Sequence, residues 1–154
     1  MKYDPAYALS RFRSDNSLAN QTYFAEHLNR RTEQDIYVYE FDHVPASNNP
    51  AFFGAYHGCE VAYVFNNLNN NDDMQDYYDI DKKISLEIGK YWTNFAKNHD
   101  PNSDDLPVWR KHTESDTNIM HLDYPSYCAK LENNYKVSMF KKILVEKIYI
   151  NINH

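Results

Sequence analysis

The chain has 154 residues, of which 42% are hydrophobic and 16% aromatic. That is enough apolar material for one domain or part of one, and too much for wholesale disorder. A formal net charge of −6 with a pI of about 5.6 argues against the basic stripe that nucleic-acid binders carry, so no nucleic-acid partner is expected.

The opening stretch MKYDPAYALSRFRSD holds no apolar core and no small-residue cleavage pattern, so no signal peptide is read from it. If Met1 is the native start, an intracellular product is expected; if an upstream part is missing, a secreted one. No apolar run is long enough to span a bilayer. The two cysteines, Cys59 and Cys128, make no disulfide framework and are expected to be free thiols.

In chain order, Ser17 is placed to cap a helix starting near Leu18. Leu18, Phe24, Ala25 and Leu28 would share its face, and Asn29–Arg31 would end it. DIYVYEF, Asp35–Phe41, is rich in β-branched and aromatic residues and predicts a strand buried on both faces, as in a parallel sheet. DHVPASNNP, Asp42–Pro50, is a loop by its prolines and small polar residues. GAYHGCEVAYVF, Gly54–Phe65, follows, so His57 falls in a loop soon after a strand, where catalytic groups collect in open α/β sheets.

Asn66–Asp73 is a polar, low-complexity surface loop. Asp79 or Asp81 would cap a long helix from about Ile80 to Lys97, with Ile84, Ile88, Trp92 and Phe95 on one stripe and Tyr91 beside them. The turn HDPN, His99–Asn102, stops it. Asn118–Asp123 predicts a short strand, Ser126–Lys142 a second amphipathic helix, and the tail ILVEKIYIN a strand by propensity.

The chemistry is then a matter of elimination. None of the seven histidines has metal-ligand spacing, there is no CxxC pair, and neither a metal nor a cofactor is expected. Cys59 lies too near His57 in sequence to serve as its nucleophile and leave room for substrate, so packing is the better role for it. The only glycines are Gly54, Gly58 and Gly89, so no serine has GxSxG spacing and no HGGG-type oxyanion loop exists. A candidate general base remains without a nucleophile. In α/β-hydrolases the triad runs serine, acid, histidine along the chain, so a C-terminal piece would look like this.

GAYHGCEVAYVF, then YWTNFAKNHDPN (Tyr91–Asn102), then LPVWRKHT (Leu106–Thr113) resemble in order the motifs of the type-B carboxylesterases, the family of carboxylesterases, cholinesterases and neuroligins. The upstream IYVYEFDHVP is similar to the family strand leading into the histidine loop. The resemblance covers residues 7–140 and leaves 141–154 as a tail without counterpart. It implies the C-terminal portion of an α/β-hydrolase fold, incomplete as a domain: last sheet strands, catalytic-histidine loop and long packing helix.

By the same resemblance, His57 matches the triad histidine, and Gly58 and Glu60 match the HGxE that supports it. None of Asp35, Asp42 or Glu60 matches the triad acid. Phe52, Phe53 and Tyr56 are placed to line an acyl or alcohol pocket, with plain packing as the alternative. The implied partner is a small carboxylic ester, once a complementing polypeptide supplies the serine, the acid and the oxyanion hole. The alternative is a truncated product, or a protein-binding module of the neuroligin type. Two departures stand out. His99 replaces the glycine of the family's GDPN, and Ala19 and Ser138 occupy positions where many secreted members carry paired cysteines.

Overall fold

A computed structural model describes residues 5–46, 53–68, 77–131 and 135–152. The chain divides into two compact units. One comprises Met1–Val38, Lys111–Asn118 and Lys130–His154; the other comprises Tyr39–Arg110 and Ile119–Ala129.

The first unit is built on helix α1, Pro5–Arg31. Ser17 does not cap it: the helix begins twelve residues earlier, at Pro5. Proline suits a first helical position, and extending an existing helix costs less than nucleating a new one at Ser17. The buried stripe is Asp15, Ala19, Thr22 and Ala25, whereas Phe24 is exposed. Small residues on that stripe allow a close neighbour, and helix α4, Tyr135–Ile152, packs there. Phe12 and Phe140 meet edge to face at 5.2 Å, and Lys141 donates to Glu26 at 2.5 Å.

Helix α4 corrects two expectations. No helix starts at Ser126, because Tyr127–Lys130 is a strand, and the tail Ile143–Asn151 is helical. A strand must find a partner edge, whereas a helix satisfies its backbone internally, so β-propensity alone does not decide an unpartnered segment.

The second unit holds a three-stranded sheet in the order β1–β2–β3: Tyr39–Phe41, Asn118–Leu122 and Tyr127–Lys130. β1 and β2 run parallel, with Tyr39, Glu40 and Phe41 opposite Met120, His121 and Leu122. β1 is shorter than the predicted Asp35–Phe41 and is not buried on both faces, since Tyr39 is exposed and Glu40 and Phe41 are half-buried. It stands at one end of the described sheet, so one neighbouring strand covers it rather than two.

After β1 come the single-turn helix α2, Val61–Val64, and the long helix α3, Asp79–Asn98. α3 buries Ile84, Ile88 and Tyr91; farther along, Trp92 is half-buried and Phe95 exposed, so the expected stripe is dry only in its first half. Neither Asp79 nor Asp81 is its N-cap. Tyr78 is, in extended backbone, and Asp81 accepts the Tyr78 N–H at 2.6 Å.

His99 ends α3 in the left-handed region, φ 61°, with its N–H bonded to the Phe95 carbonyl at 2.8 Å. The cap therefore keeps its place despite the missing glycine. LPVWRKHT forms no strand; instead the Asn102 side chain accepts from the Trp109 N–H at 2.7 Å and donates to its carbonyl at 3.0 Å. The proline turn and the buried tryptophan are thus one structural piece. No helix of the described residues is long and apolar enough to cross a membrane.

Candidate functional site

Gly54 and Gly58 take φ values of 57° and 87°, in the region that costs glycine little and other residues much. They bracket a tight turn in which the Cys59 N–H bonds to the Tyr56 carbonyl at 3.1 Å and the Val61 N–H to the Gly58 carbonyl at 3.2 Å. His57 lies on this turn with its side chain exposed, and its ring meets no hydrogen-bond or ion-pair partner among the described residues. The imidazole thus faces solvent from a turn closed by backbone hydrogen bonds.

The neighbours of His57 fix the turn rather than join it chemically. Cys59 is 3% exposed, and burial, reinforced by the negative charge of Glu60, pushes its thiol up to about 12. A thiol that stays protonated is no nucleophile at neutral pH. Glu60 leads into α2 and is half-buried. Phe53 and Tyr56 touch edge to face at 6.2 Å, both half-buried, while Phe52 lies outside the described residues.

What holds the turn is Tyr63, one helical step beyond it and fully buried. Its hydroxyl donates to Asp81 of α3 at 2.6 Å, and its carbonyl accepts from Ser85 at 2.8 Å. Asp81 is 1% exposed. One of its oxygens also meets His43 Nε2 at 2.8 Å, and the other accepts the Tyr78 N–H. His43 Nδ1 in turn faces Asp123 at 3.2 Å. Burial opposes ionisation of Asp81, but the bonds from Tyr63, Tyr78 and His43 outweigh it and hold the carboxyl below its ordinary value.

On the sheet, His121 Nδ1 and Asp42 Oδ2 are 2.6 Å apart, and this bond holds the imidazole above its ordinary value against the opposing effect of burial. The sequence reading named neither the Asp81 network nor this pair. Asp81 carried a local signal, an acid near a helix start; its long-range partners carried none.

The carboxylesterase family model matches residues 4–140. The chain belongs to the carboxylesterase family. Among curated relatives, carboxylesterase 4A of Bos taurus is 26% identical over 132 residues, which covers 84% of this chain and 23% of that protein. The pyrethroid hydrolase Ces2a of Mus musculus is 30% identical over 124 residues, covering 77% and 22%. Among solved structures, a thermophilic PNB esterase superposes with a TM-score of 0.60 at 26% identity, covering 69% of this chain and 22% of that one. The chain thus spans less than a quarter of the length of these relatives. Its α/β elements are those of an esterase fold in part.

Proposed function

We propose that this carboxylesterase-family chain is the C-terminal segment of a serine carboxylic ester hydrolase and that His57 is its general base and acid. The observation that carries the reading is an exposed imidazole on a glycine-bracketed turn, anchored through Tyr63 to a buried carboxylate. His57 would take the proton of a serine hydroxyl as that oxygen attacks the ester carbonyl, then return it to the departing alcohol. A near-neutral intrinsic affinity for protons suits an imidazole to both steps. Gly58 frees the backbone beside it, and Glu60 supports the turn. Phe52, Phe53 and Tyr56 would contribute one wall of the acyl or alcohol pocket.

The serine, the triad acid and the oxyanion donors would come from the rest of the protein or from a complementing polypeptide. Without them the 154-residue chain is expected to hydrolyse no ester, because no serine here has GxSxG spacing. The test is a longer native form treated with a fluorophosphonate probe. Labelling of a serine, together with a loss of kcat of roughly 10⁴–10⁶-fold on His57→Ala, supports the proposal. A longer form that stays unlabelled refutes it.

A second reading is motivated by the chain holding no serine at GxSxG spacing for His57 to serve. In that reading the chain is a non-catalytic product or protein-binding module. Specific partner binding that survives His57→Ala, with no labelling of the longer form, would support it.

A further inference from the structure

We propose that Glu40, Asp42 and His121 form a binding site for one divalent transition-metal ion of the zinc class, distinct from the His57 turn. The parallel register sets Glu40 directly opposite His121, and Asp42, two residues on from Glu40, returns to the same face. Backbone pairing therefore gathers two carboxylates and an imidazole on one side of β1 and β2. One donor atom from each lies within 4.8 Å of the other two. The opposite face of β2 carries Met120 and Leu122, both fully buried, and on the His121 side Ile119 is buried as well, so the cluster borders the apolar core.

The imidazole distinguishes this cluster from a solvated acidic patch. Hard cations such as Mg²⁺ prefer all-oxygen shells and keep their waters, whereas a mixed nitrogen and carboxylate set suits zinc, cobalt or nickel. His121 is 20% exposed and stacks on Tyr127 at 4.7 Å with an interplanar angle of 13°, which fixes the ring plane before any ion arrives. Asp42 is 36% exposed and leaves a solvent path for entry. The Asp42 carboxylate oxygen and His121 Nδ1 already lie 2.6 Å apart, and an ion between them would displace the proton of that hydrogen bond. Water would complete the shell on the open side.

The ion would clip β1 to β2 at the point where the chain leaves the sheet toward the His57 turn. No local sequence spacing marks the site, because its donors come from segments about eighty positions apart, Asp42 and His121 among them.

The test is calorimetric titration of the full chain with Zn²⁺, with Mg²⁺ as the control, alongside His121→Gln and Glu40→Gln. One tight equivalent of Zn²⁺ and no Mg²⁺ binding is expected. Each variant should lose at least about tenfold in affinity, since even outer-shell partners count on that scale. Unchanged Zn²⁺ affinity in both variants overturns the proposal and leaves an ion pair only. Should the variants fail to fold, X-ray absorption of the zinc-loaded wild-type chain decides. One imidazole with oxygens at about 2.0–2.2 Å supports the site, and two or more imidazoles refute it.

Discussion

Asp81 has lost nearly all contact with water and is still held on the ionised side of its ordinary range. Three donors make that tolerable, and removing the acceptor would leave Tyr63, His43 and the Tyr78 N–H without it. Asp81→Ala is therefore expected to destabilise the fold by about 3 kcal/mol, the scale for breaking a buried charged network, read by urea unfolding. The pH dependence has a definite sign. A carboxyl depressed in the folded state gives stability that is fully present above its unfolded value near 3.8 and lost as pH falls through the lower folded value. Acid titration of the melting temperature should show a loss below that pH that is smaller in Asp81→Ala; equal losses would remove Asp81 from the account. Cys59 gives an independent check at the same scale. Its buried, protonated thiol should resist alkylation while half-buried Cys128 reacts, and mass spectrometry of a brief iodoacetamide treatment reads the ratio.

The cap of helix α3 shows a departure from the family pattern acting on an element. His99 holds φ 61°, a conformation that costs a residue with a Cβ about 1 kcal/mol or more. Glycine there avoids that cost but makes the unfolded chain more flexible, so His99→Gly should stabilise by about 0.5–1 kcal/mol. His99→Val should destabilise, and thermal melts of the pair rank the two. This cap was legible in the sequence because a proline-containing stop and a displaced family glycine are both local signals. So was the buried first half of α3, and so was β2, written in five consecutive residues. The start of α1 was not legible, since Ser17 offers a good cap that an already growing helix has no use for. The tail misled for the same kind of reason: Ile, Val and Tyr favour strands only where an edge is waiting. The His57 turn was legible as a motif. The anchor beneath it was not, because Tyr63 and Asp81 are joined by tertiary folding alone.

At the scale of the whole molecule, large apolar side chains remain in solvent on both units. Phe12 and Phe24 are 55% and 63% exposed, and Phe65, Leu86 and Val108 are 75%, 57% and 63% exposed. Scattered exposed leucines are ordinary in folded proteins, but contiguous apolar surface marks a face made for a partner. α2 and α3 present such a face, an open groove of about 920 Å³ lined by Val64, Phe65, Leu86, Trp92 and Ala96. A chain spanning less than a quarter of its relatives has a direct reason to carry it, since the proposed remainder of the esterase would supply the cover. Expressed alone, the chain should then self-associate. The net charge of −6 opposes association at low salt and is screened at high salt, so the associated fraction should rise with ionic strength. Sedimentation velocity across a concentration series at low and high salt tests this, with Phe65→Ser and Leu86→Ser expected to shift the distribution toward monomer. A wild-type chain that sediments as a monomer under every condition would mean that these apolar faces need no cover, and would take away a physical reason for regarding it as one part of a larger domain.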